Sequence, residues 1–369
     1  MRKKITCALL IVILSLTGCF SYEDIDKAIF VTAVVLDVNS NNEVVLYLES
    51  FLPYRSSSKE SAKGQRIIFN GKGKTVYEVM KDLNLSSSYK LNYTQNRVII
   101  FTERATEFGI DNFIDTFQRV QQLLIRPYVV VYAGDPNKLM QLHLKEEEYI
   151  GIFLNNLIDN QKTSSRTVQV HLNEFLNKRN LGSGVNVVTL VEISKDELEP
   201  KLKVNGGTII RDDKYAGNIK KSDGEKYNFL MDNVREGTLE PANPEHKDKF
   251  VTLNISNSKT KTYMSYDGKK IHLKKVIYTK ASVAGIQNGL TLNKDNLAKL
   301  KIESENNIKK LCTDFFNKTQ KNKLDIFEIQ EEFNRKYPKE GNKNVLDISE
   351  LELQVNVKID DSSKSLDFK

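Results

Sequence analysis

The sequence predicts an α+β protein of two to three mixed domains, the last an antiparallel sheet with long amphipathic helices. Three observations carry this. Short, β-branched apolar runs alternate with helical stretches from Ala28 to Tyr132, the pattern of mixed α/β layers. In the last third, apolar and polar residues alternate on either side of Asp267-Gly268, as antiparallel strands with one solvated face do. The same third carries two helical periodicities, Leu297 to Phe315 and Leu324 to Tyr337.

In order along the chain, Ala28 to Leu36 is almost continuously apolar and reads as a strand buried on both faces. Asn39 to Asn42 supplies turn residues, and Glu43 to Phe51 returns as the second strand of a hairpin. Pro53 to Gln65 is a polar loop around Ser56-Ser57-Ser58. Thr75 and Glu78 have capping-box spacing, followed by Val76, Val79, Met80 and Leu83 on one helical face. Arg97 to Thr102 is a strand, Ile110 to Leu124 a helix and Tyr128 to Tyr132 a strand. Asp135-Pro136 opens a short helix with proline in its first turn.

Ile150, Phe153, Leu154, Leu157 and Ile158 form a helical face, and Val170, Phe175 and Leu176 part of another, ended by Leu181-Gly182-Ser183-Gly184. Val185 to Ile193 is a strand, and the charged stretch Ser194 to Pro200 marks a domain boundary. Beyond it, Gly206 to Ile210 and Tyr215 to Ile219 flank a turn at Asp212-Asp213-Lys214, and Lys226 to Val234 is a short helix. Leu351, Leu353, Val355, Val357 and Ile359 alternate strictly with polar residues in a closing strand. The expected division is residues 1–18 as a signal, 19–195 as a mixed α/β region with a further split near Leu144, and 200–369 as the C-terminal domain.

The first eighteen residues are of another kind. Arg2-Lys3-Lys4 precedes an apolar run from Ile5 to Leu16, then Leu16-Thr17-Gly18-Cys19. A basic head, an apolar stretch and small residues make a secretory signal. The run is shorter than the roughly 20 apolar residues of a spanning helix, and no later stretch approaches that length. The cysteine after Leu16, Thr17 and Gly18 makes this a bacterial lipobox, with Cys19 as the lipidated residue. Two acyl chains would hold the protein stably where one gives marginal binding.

Composition bounds the rest. The 369 residues are 40% hydrophobic and 28% charged, as in ordinary globular chains, with a formal net charge of +7. Loss of residues 1–18 would remove Arg2, Lys3 and Lys4 and leave +4. The basic residues are interleaved with acidic ones, which argues against nucleic acid and for mild attraction to an anionic membrane surface. Of three cysteines, Cys7 would leave with the signal and Cys19 is lipidated, so Cys312 has no disulfide partner.

Several blocks, in order, resemble the C-subunit lipoproteins of bacterial spore germinant receptors, the Ger(x)C family. They are the lipobox and its following apolar strand, Gly73-Lys74-Thr75-Val76-Tyr77-Glu78, the run from Arg97 to Ile110, Val204-Asn205-Gly206-Gly207 through Lys214-Tyr215-Ala216-Gly217, and Lys321 to Pro338 with Leu324-Asp325-Ile326-Phe327. Two departures stand out: Phe20 where family members commonly have Trp, and Phe327-Glu328-Ile329 where many have a glycine-rich run. The resemblance implies a three-domain, non-enzymatic receptor subunit on the outer face of the spore's inner membrane. It implies two integral-membrane partners, an A-type and a B-type subunit, and a requirement in germination triggered by nutrients.

Chemistry is otherwise sparse. Gly71-Lys72-Gly73-Lys74-Thr75 lacks the P-loop's earlier glycine, since Ile68 stands five positions before Gly73. His143, His171, His246 and His272 have no metal-ligand spacing, so no metal or cofactor is expected. Cys312 follows Leu311 beside an apolar helical face and reads as a buried thiol. The Lys-rich stretch from Lys294 to Lys323 reads as a solvated face. A solute-binding lipoprotein serving a transporter is the rival reading, opposed by the antiparallel last third; saturable stabilisation by small solutes would favour it. A wall hydrolase is a second rival, and it lacks a catalytic constellation. Labelled fatty acid should enter the wild-type chain and not Cys19→Ala; equal labelling of the two would exclude lipidation at Cys19.

Overall fold

The computed structural model describes residues 27–53, 65–120, 126–160, 164–180, 183–194, 199–341 and 344–360. Strand β1 (Ala28–Val38) pairs antiparallel with β2 (Val44–Leu52) across the asparagine turn, where Asn39 Oδ1 accepts from the amides of Asn41 and Glu43. An unexpected strand β3 (Gln65–Gly73) follows β2, antiparallel to it along its whole length. The expected loop residues 54–64 lie outside the described residues. Helix α1 (Val76–Leu85) opens on the capping box: Thr75 Oγ1 accepts from Glu78 N at 3.2 Å, and Glu78 accepts from Thr75 N at 3.3 Å.

Short β4 (Lys90–Asn92) and then β5 (Val98–Thr102) lie parallel to β1. Helices α2 (Glu103–Phe108) and α3 (Asp111–Arg119) lead to β6 (Tyr128–Tyr132), parallel to β5. The helix expected to run from Ile110 to Leu124 ends at Arg119, where Val120 turns to an extended conformation; residues 121–124 lie outside the described residues. Helices α4 (Pro136–Met140), α5 (Ile150–Asn160) and α6 (Leu172–Asn180) precede β7 (Val185–Ile193), parallel to β6. Asp135 caps α4 with Pro136 in its first turn, as read from the sequence.

The chain then turns back. Strand β8 (Leu202–Arg211) pairs antiparallel with β7, and β9 (Lys214–Ile219) with β8, across a turn in which Asp212 and Asp213 have φ of 50° and 65°. The connection between β7 and β8 runs through the Ser194–Pro200 stretch, of which residues 195–198 lie outside the described residues. The first sheet therefore runs β3-β2-β1-β5-β6-β7-β8-β9, with β4 beside β1. Its central strands are apolar on both sides because both sides are covered. Val34, Leu36, Ile99 and Phe101 pack with α1, α2, α3 and α6, whereas Ala33, Val35, Ile100 and Val130 pack with α4 and α5.

Helix α7 (Lys221–Leu230) comes earlier than the expected Lys226 to Val234. The second sheet runs β10 (Gly237–Leu239), β11 (Val251–Tyr266), β12 (Ile271–Ile286), β13 (Ser349–Asp360). It is antiparallel through β12, with Asp267-Gly268 at the long hairpin's tip; β13 joins parallel to β12. Between them stand α8 (Lys294–Lys321), about 42 Å long at 1.5 Å per residue, and α9 (Ile329–Lys336). A connection through helices permits a parallel partner, which a tight turn cannot. Leu353 and Val357 of β13 are buried in one core with Ile277, Ile308 and Phe316, and Val185, Val187 and Ile209 of the first sheet belong to that same core.

Two buried charges fix helices onto sheets. Glu49 on β2 is fully buried. Its carboxylate accepts from Thr32 Oγ1 (2.7 Å), Arg66 Nε (2.8 Å) and the amides of Ile150 (2.7 Å) and Gly151 (2.8 Å). An anion at a helix N-terminus satisfies orphan amides and meets the favourable end of the dipole. Gly151 permits the approach, because a Cβ there would lie 2.2 Å from Thr32 O. On β12, buried Lys275 donates from Nζ to Leu230 O (2.8 Å), at the end of α7, and to Thr262 Oγ1 (2.9 Å). Burial pulls its ammonium down to about 8, against the opposing fields of Glu332, Glu328 and Asp232.

Removing Glu49 strands the Arg66 guanidinium in the interior, so Glu49→Ala should cost about 3–5 kcal/mol of stability. Urea unfolding of the full chain in mild detergent measures this, and a loss near zero would contradict it. Lys275 titrates lower in the folded chain than the ordinary 10.5. Between those two values the unfolded chain binds more protons, so stability rises with pH through that window, and below it the desolvation cost is fully present. The stability of wild type minus that of Lys275→Met should therefore increase between about pH 8 and 10.5; a constant difference would refute the assignment.

Candidate functional site

The expected lipobox residues Leu16, Thr17, Gly18 and Cys19 lie outside the described residues. The described chain starts at Lys27, one residue ahead of β1. The other residues singled out from the sequence are dispersed. His171 stacks on Tyr128 with ring centroids 4.0 Å apart, and its Nδ1 lies 2.7 Å from Arg126 O. His272 sits exposed on β12 with Nε2 2.9 Å from Asp267 Oδ2. Among the described residues no three His, Cys, Asp or Glu side chains gather where they could hold a metal, and no helix is long and apolar enough to cross a membrane.

Cys312 is buried on α8. Burial pushes its thiol up to about 12, Glu225 adding to the effect, and its Sγ points to Lys226 O at 3.9 Å. A reactive cysteine needs a lowered pKa and access, and this one has neither. Lys74 and Thr75 serve the start of α1: the amides of both donate to Glu78 Oε2.

The structure does gather one polar constellation, where the first sheet meets the late helices. Asp325 is buried; its carboxylate accepts from Ile329 N (3.0 Å) and Gln330 N (2.8 Å), which caps α9. Desolvation raises its pKa, and the donated amides oppose that rise. The Asp325 carbonyl accepts from Ser183 Oγ (3.3 Å), just before β7. Glu328, held at φ 60°, pairs with Lys178 of α6 at 2.6 Å. Arg179 makes a two-pronged pair with Asp213 in the β8–β9 turn, at 2.6 and 2.7 Å. The Asp213 carbonyl in turn accepts from Ile110 N, ahead of α3 (2.7 Å). Bidentate Arg–carboxylate pairs fix geometry as well as adding energy. The Asp325 turn was visible in the sequence. Lys178, Arg179 and Asp213 were not, because their partners lie 34 or more residues away and no local spacing records such a pairing. The constellation contains no nucleophile paired with a base; it can hold elements together.

Two family models cover the chain. Residues 21–193 match "Spore germination protein N-terminal domain" and residues 205–363 match "Spore germination B3/ GerAC like, C-terminal". The first match ends with β7 and the second begins within β8. Spore germination protein GerQC of Bacillus cereus is 23% identical over 246 residues, 67% of each chain. Spore germination protein A3 of Bacillus subtilis (strain 168) is 24% identical over 274 residues, 73% of this chain and 70% of that protein. The crystal structure of the GerBC protein superposes with a TM-score of 0.54 at 15% identity, over 88% of this chain and 96% of that one, which shows a shared fold. With both halves matched in order and the fold shared over most of its length, this chain belongs to the GerAC-like family of spore germination proteins.

Proposed function

We propose that the protein is the lipid-anchored C subunit of a spore nutrient-germinant receptor, held on the outer face of the spore's inner membrane through Cys19. It works without catalysis, by assembling with the two integral-membrane subunits. The observation that carries this reading is the ordered match of both halves of the chain to spore germination models, together with the lipobox ahead of them.

The tether is short. Nine positions separate Cys19 from Ala28, and an extended chain of that length reaches about 30 Å. The start of β1 would therefore stay within that distance of the bilayer. Tethering converts encounter with a membrane partner into a nearly intramolecular event and raises the effective concentration accordingly. The constellation of Lys178, Arg179, Asp213, Asp325 and Glu328 suits such a role, because it braces the ectodomain that would face those partners.

Two measurements in spores test the assignment together. Deleting the gene should sharply reduce the response mediated by its own receptor and leave responses through unrelated receptors intact. The tagged protein should co-purify with both membrane subunits, and Cys19→Ala should recover less of them. Normal germination in the deletion strain, or failure to recover either subunit with the wild-type chain, would sink the proposal.

A further inference from the structure

A cleft of about 390 Å³ lies between α7, β10 and α8, within the size range of small-molecule sites. Its existence follows from how α7 is held. On the side away from α8, Gly224 lies so close to Arg166 O that a Cβ would stand 2.1 Å from it. Asn228 Nδ2 donates to Ser165 O (2.7 Å) and Thr167 O (2.8 Å). Helix α7 is thus fixed from behind, and the facing turns of α8 present Ser304 and Cys312, too small to fill the gap. Ser304 spends its hydroxyl on Leu300 O (2.8 Å). The walls are Phe229, Leu239, Ile308 and Leu311.

The charges in this cleft are uneven. Glu225 is half-buried, and its Oε1 accepts from Ser165 Oγ (2.9 Å), a neutral donor. Exposed Glu240 lines the same cleft, and its charge adds to the burial that raises the Glu225 carboxyl, against the fields of Arg166 and Lys226. Lys226 also lines the cleft, but its ammonium pairs with Asp223 at 2.7 Å. Lys310 stands exposed among the lining residues. Two carboxylates therefore share an apolar-walled space with Lys226, engaged by Asp223, and with Lys310, which is exposed as Glu240 is; the Arg166 charge also acts on Glu225, and Glu240 Oε1 accepts from Thr238 Oγ1.

We propose that this cleft binds a small organic cation, a protonated primary amine with a short aliphatic body. The ammonium sits between Glu225 and Glu240, and the body lies against Phe229, Leu239 and Ile308. A hydrogen-bonded charge facing a half-buried carboxylate is the strong kind of polar contact, and the apolar walls add burial of the body. The site goes beyond the assembly role and stands apart from it, since it uses none of the bracing residues.

Calorimetric titration of the full chain in mild detergent tests this, with isoamylamine as probe and isoamyl alcohol as its neutral counterpart. The amine should bind saturably at one site, and the alcohol at least about tenfold more weakly. Glu225→Gln should weaken the amine by about tenfold or more and leave the alcohol unchanged; Glu240→Gln, at an exposed position, should weaken the amine by a smaller factor. Thermal melts of both variants establish that they are folded, and the exposed variant decides the matter should Glu225→Gln fail to fold. Equal affinity for amine and alcohol, undiminished amine binding in the folded variants, or absence of saturable amine binding up to about 10 mM would overturn the proposal.

Discussion

The antiparallel pairing of β7 with β8 is the constraint on which the rest of this structure depends. The long run of parallel strands β1, β5, β6 and β7, with short β4 beside β1, needs helices on both faces. At β7 the chain stops adding parallel strands and folds back, so β8 and β9 complete the sheet from the other half of the sequence. One face of β7 then divides its labour. Val191 packs in the core under α4 and α5, whereas Val185 and Val187 pack with Ile209, Ile219 and Tyr227 against the second sheet's core. The two matched family segments thus share a sheet and a core, where a flexible linker would have left two surfaces to solvate.

Charged side chains then fix the orientation that burial leaves loose. Hydrophobic packing is non-directional; Arg179 on Asp213, Lys178 on Glu328 and Ser183 on the Asp325 carbonyl are not. Tyr227 lies fully buried beside Lys178 and Glu328, its phenol raised to about 12 chiefly by burial. Removing any one of these groups would leave its partner under-satisfied in a half-dry environment, so the joint resists sliding. Under the assembly role proposed above, the surface offered to partners would be set by the whole chain, with neither half free to rearrange alone.

Much of the fold was legible because local physics wrote it. Apolar β-branched runs gave β1, β5 and β6, strict alternation gave β13, and Thr75 with Glu78 gave the start of α1. Other elements lacked a local signature. In β3, Gly71 and Gly73 weaken the strand pattern, and both glycines are present because α1 presses on them: a Cβ would meet Val79 at 3.0 and 2.9 Å. Three-residue β4 exists only through its pairing with β1. Helix α7 contains Gly224, a poor helix residue, and owes that glycine to its contact with Arg166. Glu49 looked like a polar interruption in β2; its four partners come from β1, β3 and a helix 101 residues away. The inert character of Cys312 was legible from its helical position, whereas the carboxylate-lined cleft beside it requires α7, β10 and α8 to be brought together.

The central claim is that the two halves form one folding body through β7 and β8. Native-state hydrogen exchange of the full chain tests it directly, comparing the slowest amides of β5 and β6 with those of β11 and β12. Shared β7–β8 pairing predicts that both sets open with the same free energy, and that Val187→Ala lowers both by the same amount. Two distinct opening energies, with Val187→Ala lowering only one of them, would show that the halves unfold separately and would contradict the account.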